Sequence, residues 1–439
     1  MRPHSLLSRA RGVTLIELMV ALVIGMVLSL AMFLVMSTSE GRKRTITATS
    51  DVNQASNYAM VLMDQWLRNA GNGFTQSAGY SLGCKLNAYR SGTQILPSVS
   101  NAALPSPFGN VNIGTGTSTL GVFRLAPVLI LPDQTTPSVS GHTSDVLVIM
   151  GGAAGKGGIP VQFSATPTES ELTLSNTTAF AANDLLLLTS MEPSTTANYS
   201  DSSGVSTLTS VNAADCFVEQ VGTVTSTTVL GLDGVYHHTP ASLSDNSAAM
   251  VLGNVSAGRA PQFLVIGVGD NNTLYSYDLL NTAGDSTRAA LARADGVFEL
   301  HALYGIDKNC DGKISSDEWV SPTDSTYSVA NLMSGSMQET ATPPVDAAAR
   351  LAACSSLTTA NDYLQKILAI RVGLILRTSL PEKEAVTLSN PTLFSDLGSA
   401  LTYTRTLKTD AQDATRLEQH YRYRTVELTI PLRNPLMLP

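Results

Sequence analysis

Arg9-Ala-Arg-Gly12-Val13-Thr-Leu-Ile-Glu17 carries the chain from a basic leader, through a glycine, into an apolar segment with one acidic residue near its start. An ordinary secretory signal places its small-residue cleavage site after the apolar stretch. Here the obvious processing point, Gly12, lies before it, so cleavage would leave the apolar segment on the mature chain with Val13 as first residue. Residues 18–39 contain no charged side chain, and about 20 such residues in a helix cross the roughly 30 Å hydrocarbon core of a bilayer. A plain single-pass anchor satisfies the hydropathy equally well. Glu17 separates the two readings, because a charge at the centre of a spanning helix costs on the order of 2.5–3.5 kcal/mol, less near its edge, and marks function when it is kept. Its natural partner is an amino terminus.

Composition narrows the class. The chain has 439 residues, 43% hydrophobic and 14% charged, which describes a globular protein poor in surface charge. A formal net charge of -8, with no basic patch beyond the short Arg42-Lys43-Arg44 run, argues against a nucleic-acid partner. That run reads as a membrane-proximal collar or as a solvated turn. Arg2, Arg9 and Arg11 balance it on the leader side, so loop charge leaves the orientation undecided. Cys84, Cys216, Cys310 and Cys354 form no C-x-x-C pair, which disfavours zinc and thioredoxin-like chemistry. In an exported domain they can form two disulfides in three connectivities, with Cys84 to Cys216 and Cys310 to Cys354 preferred; buried thiols are the alternative.

No proline occurs between Pro3 and Pro97, and Val52, Ala55, Ala59, Leu62, Met63, Trp66 and Ala70 recur at helical spacing. One helix is therefore predicted over 13–70, spanning a membrane at about 18–39, with Gly71 and Gly73 suited to end it. From Thr14 to Ala70 it would be roughly 85 Å long, far more than a bilayer needs. Its outer half must dock on a partner, and 45–57 is too polar for a free coiled-coil stalk. Downstream, 145–150, 184–189, 216–224, 262–268, 297–304, 367–377 and 424–432 carry β-branched or apolar runs between turn residues and are predicted strands. The long apolar run 367–377 is placed centrally in a sheet, a buried helix being the alternative. The Ser/Thr-rich tracts 166–178 and 194–209 are predicted as surface loops or an elaborated subdomain. The expected fold is α+β: leader 1–12, helix 13–70, and an exported antiparallel β-rich domain 71–439 on which the helix packs.

A second pattern stands in the C-terminal half. Asp307-Lys-Asn309-Cys-Asp311-Gly312-Lys313-Ile-Ser315-Ser-Asp317-Glu318 satisfies D-x-[DN]-x-[DN]-G-x5-E. Calcium takes six to eight hard oxygens, and such a loop offers them at positions 1, 3, 5, 7, 9 and 12, with glycine at 6 for the sharp turn. Asp307, Asn309, Asp311, Ser315 and a bidentate Glu318 would supply side-chain oxygens, Lys313 its carbonyl, and Ile314 would turn toward the core. A bare surface turn is the alternative. Residues 300–305 read as a strand, so the loop is expected singly within a β-rich domain and not as a paired EF-hand. Enzyme signatures fail: Gly151-Gly-Ala-Ala-Gly155-Lys156-Gly157 has Met150 where the first glycine of a phosphate loop belongs and Gly157 where a hydroxyl should hold magnesium. His237 and His238 are adjacent and lack zinc spacing.

The start of the chain resembles type IV prepilins, of the pilin and pseudopilin superfamily, in which a dedicated peptidase cuts after the glycine and methylates the new N-terminus. Leu67-Arg-Asn-Ala-Gly71, Tyr304-Gly-Ile-Asp307 and Val426-Glu-Leu-Thr-Ile-Pro-Leu-Arg-Asn434 add a resemblance to the PilW-like minor pilins. Residues from about 87 to 260 add little to it, and Val13 stands where pilins commonly have phenylalanine. The resemblance implies cleavage at Gly12, methylation of Val13, and pairing of Glu17 with a subunit's N-terminal ammonium. It implies a cytoplasmic leader, an inner-membrane anchor before assembly and an exported domain that reaches the pilus at or near its tip. Implied partners are the prepilin peptidase, other minor pilins, the major pilin and a tip adhesin, with no catalysis. A minor pseudopilin of type II secretion and a calcium-dependent adhesin are the alternatives, and calcium is the one expected cofactor.

Overall fold

In the computed structural model the described residues are 14–74, 81–96, 104–111, 123–134, 143–153, 159–190, 194–195, 211–212, 215–238, 243–255, 259–280, 289–309, 311–333, 336–337, 360–412 and 417–432. Two compact units are present, Met1–Asn53 and Gln54–Pro439. The helix α1, Leu15–Arg68, runs unbroken through the boundary.

Within the first unit the side chains of α1 from Leu15 to Met36 are exposed, Leu15 at 78% and Met36 at 72%. This is the one helix among the described residues long and apolar enough to cross a membrane. Within the second unit α1 buries Ser56, Ala59, Met63, Trp66 and Leu67, a stripe at three- and four-residue spacing that Ala70 continues into the turn after the helix. Leu62 and Ala55, on the flanks of that stripe, are half-buried.

The end of α1 is stitched to two strand ends. Gly71 takes the left-handed φ of 77° and gives its N–H to the Met150 carbonyl at 2.8 Å. Gly152 donates to the Asn72 carbonyl at 2.6 Å and accepts from the Asn72 side-chain amide at 2.9 Å. The approach is too close for a side chain. A Cβ on Gly151 would stand 2.3 Å from the Asn69 carbonyl oxygen, and one on Gly152 would stand 2.5 Å from that of Leu252. The glycine run after residue 150 is thus a packing seam for the helix end.

Three sheets make up most of the second unit. The largest orders Thr93–Leu96, Lys85–Arg90, Asp215–Val224, Asp184–Ser190, Ser247–Asn254 and Val161–Gln162, with Val229–Leu232 and Glu171–Thr173 branching from it. Lys85–Arg90 and Asp215–Val224 run parallel, joined by the Cys84–Cys216 disulfide. A five-stranded antiparallel sheet orders Leu291–Asp295, Thr273–Asp278, Gln262–Gly269, Ser144–Gly151 and Val128–Gln134. A four-stranded antiparallel sheet orders Trp319–Val320, Val297–Ile306, Ile367–Arg377 and Tyr423–Pro431.

All seven predicted strands are strands, and Ile367–Arg377 lies between two neighbours as its apolar run requires. Of the two readings of the tract 166–178, the surface loop is corrected: it contains the strand Glu171–Thr173, whose Leu172, with Leu174 beside it, is fully buried, because Leu172 pairs with Leu230 far along the chain. Of the tract 194–209, only Ser194–Thr195 lies among the described residues, and it is a strand.

The helix-end seam is tested by Gly152→Ala. A Cβ pressed on the Leu252 carbonyl should cost about 1–3 kcal/mol, read as a lower urea midpoint of the full-length chain in detergent. An unchanged midpoint would show that the seam tolerates a side chain.

Candidate functional site

Residues 307–318 connect the paired strands Val297–Ile306 and Trp319–Val320. The loop is anchored at both ends: the Ile306 N–H bonds the Glu318 carbonyl at 2.9 Å, and the Asp307 N–H bonds the Lys366 carbonyl at 3.0 Å. Gly312 supplies the positive φ, 75°, that the turn requires. Loop amides gather the acidic side chains. Asp307 accepts from the Asp311 and Gly312 N–H groups at 3.1 and 2.9 Å, Asn309 from Asp311 at 3.0 Å, and Asp311 from Lys313 at 2.8 Å.

Glu318 closes the loop. One carboxylate oxygen takes the Lys308 N–H at 3.0 Å, and the other takes the Ser315 N–H and hydroxyl at 2.8 and 2.6 Å. Burial raises its pKa, but the bonds from Ser315 and the amides of Lys308 and Asn309 outweigh that, so the net direction is down. Asp317 is lowered chiefly by the Ser315 hydroxyl. Ile314 is half-buried and faces Gly305, where an added Cβ would lie 3.2 Å from an Ile314 methyl.

The donor set is hard oxygen throughout, the chemistry calcium takes. An ionised carboxylate has about four lone-pair sites, so two amide bonds leave room for an ion. In this arrangement no group of three His, Cys, Asp or Glu converges among the described residues.

A different cluster, invisible in the sequence, joins two of the sheets. Asp145 on Ser144–Gly151 accepts the Ala302 N–H at 2.8 Å, and its other oxygen lies 3.7 Å from His301 Nδ1. His301 Nε2 lies 3.4 Å from Glu299, which also accepts from the Tyr403 hydroxyl at 2.8 Å. Arg405 stands 3.1 Å from Glu299 and 3.1 Å from Glu418. Asp145, Glu299, His301 and Glu418 are all buried. Burial pulls the His301 pKa down, but bonding to Asp145 and Glu299 more than reverses this and holds it up at about 9.

At the other end of the chain, Thr14 caps α1 by accepting the Glu17 N–H at 3.3 Å. Thr14-Leu-Ile-Glu17 is a capping-box spacing. The Glu17 carboxylate accordingly sits in the first turn, where the helix dipole favours it. Gly12, Val13, Cys310 and Cys354 lie outside the described residues. His237 meets the buried Glu219 at 3.1 Å, while the ring of His238 stacks on Tyr89. That pair reads as a satisfied polar contact.

Residues 263–434 match the family model for Type IV Pilus-assembly protein W, PilW, and residues 7–33 match the prokaryotic N-terminal methylation motif. The chain carries a PilW domain behind a prepilin N-terminus. Both matches point to type IV pilus assembly, the first over 172 of the chain's 439 residues. The search of curated proteins and that of solved structures return no match. The PilW match takes in the four-stranded sheet, the 307–318 loop and all of the Glu299–His301 cluster except Asp145. Residues 34–262, with the whole eight-stranded sheet, fall outside both models.

The buried histidine of the PilW domain sets a pH dependence. The folded chain holds the His301 proton to about pH 9, whereas an unfolded histidine releases it near 6.5. The stabilisation is therefore whole below pH 6.5 and is lost as pH rises to 9. Urea unfolding across that window should show a fall on the order of 2–3 kcal/mol. His301→Gln should be less stable at the acidic end and should lose the slope above about pH 8; below that the slope is shared with Glu219, which burial raises to about 8. A slope above about pH 8 that survives the substitution would assign it elsewhere.

Proposed function

We propose that this pilin is a minor subunit that joins other minor pilins in a complex priming type IV pilus assembly and capping the tip, with a calcium ion held by residues 307–318. The observation that carries the reading is a methylation motif leading into an apolar helix that is exposed along its first half and continuous with a helix end built into a domain bearing a PilW match. A subunit that leaves the membrane for a filament needs such a helix, whose apolar side chains exchange lipid for neighbouring helices. The prepilin peptidase cuts after Gly12 and methylates Val13. Glu17 then pairs with a neighbour's N-terminal ammonium, a partner that keeps a carboxylate in lipid affordable. The anchor sits in the inner membrane with the domain outside until assembly.

In the loop, Asp307, Asn309, Asp311, Ser315 and Glu318 offer side-chain oxygens and Lys313 its carbonyl. The ion's role is structural, because a ligand bound only to the folded state stabilises it by mass action. Holding the hairpin between Val297–Ile306 and Trp319–Val320 keeps one edge of the four-stranded sheet in a single shape.

Mass spectrometry of sheared pili should find a chain beginning at N-methylated Val13; an intact leader confined to membranes would overturn the reading. Calcium at about 100 times its dissociation constant should raise unfolding free energy by about 2.7 kcal/mol. Asp307→Ala with Glu318→Ala should abolish both that gain and the calorimetric titration. An unchanged titration would remove the loop as the site.

A further inference from the structure

We propose that Arg42, Lys43 and Arg44 form a headgroup-binding collar that selects anionic phospholipid around the membrane helix. The inference rests on α1 spanning the bilayer. Residues 18–39 carry no charge, and at about 1.5 Å per residue they cover roughly 33 Å, close to the ~30 Å hydrocarbon thickness. The cations follow within the next 4.5–7.5 Å of helix rise by the same rough arithmetic, inside the interfacial layer that brings a bilayer to about 40–45 Å.

The helix is unbroken here, so this spacing is imposed by backbone geometry. All three side chains are exposed. As consecutive residues of a helix they fan across about 200° of its circumference, which makes a collar and not a stripe. Glu40 is the sole acidic residue between 18 and 50, so residues 40–44 keep a charge of +2, three cations less one carboxylate. Charge complementarity with phosphate, together with direct continuity with the lipid-facing side chains, selects an anionic lipid surface as the partner.

The probe is the full-length chain reconstituted in nanodiscs of phosphatidylcholine with about one third phosphatidylglycerol, released gently and weighed with its retained lipids. The wild type should retain phosphatidylglycerol enriched at least about threefold over the bulk ratio, and about 1 M salt should abolish this by cutting the screening length to roughly 3 Å. Arg42→Gln, Lys43→Gln and Arg44→Gln together should cut the excess of phosphatidylglycerol over bulk by at least about half. Arg42→Lys with Arg44→Lys should keep the enrichment. The leader arginines are common to every variant, so they cancel in the comparison. Equal enrichment in the triple glutamine variant, or none in the wild type, would overturn the collar while leaving the spanning helix intact. A chain that fails to enter nanodiscs would overturn the spanning helix and the collar together.

Discussion

A bilayer core offers no water to a backbone N–H or carbonyl, so a single segment can cross it only with those bonds closed upon themselves. α1 meets that condition from Leu15 onward, and Thr14 supplies the acceptor that the first turn needs. Everything in the pilin reading follows from this one helix. Its first half exposes apolar side chains because nothing in its own unit covers them, and such a bare surface suits lipid. The outer half buries a narrow stripe and then stops, by way of left-handed Gly71, against backbone that only glycine could bring so close.

The PilW-matching part of the chain is organised around Val297–Ile306, a strand buried along its whole length. A strand buried on both faces normally excludes charge, yet this one carries Glu299 and His301 two residues apart on the same face. They survive there because Asp145, Tyr403 and Arg405 reach them from other elements, so each charge meets a partner. Such networks are weak evidence for net stability, since desolvation opposes the Coulomb gain. Their effect is to fix how the two sheets meet, because removing any member strands the others.

The strands of the C-terminal half were legible in the chain because β-branched and apolar runs bounded by turn residues need little context. Ile367–Arg377 could be placed centrally for the same reason: a long apolar stretch needs neighbours on both sides. Glu171–Thr173 was not legible, since its strand character comes from pairing with Val229–Leu232 and its polar surroundings look like a loop. Gly151 and Gly152 suggested a failed phosphate loop; their use as a seat for the helix end depends on residues some eighty positions away. The cluster of Asp145, Glu299, His301 and Arg405 left no trace at all, each residue being unremarkable in its own stretch.

By itself, then, the sequence determined what local chemistry can determine: the leader and apolar helix, the glycines that end it, the strand-forming runs, and the oxygen-donor spacing of residues 307–318. These follow from periodicity, charge and backbone freedom within a few turns of chain. Tertiary structure alone decided which strands pair, that the donor loop is a hairpin connection between two strands, where the helix end docks, and which buried charges meet. Those outcomes depend on contacts between residues distant in the chain, whose energies exist only once the backbone has brought them together.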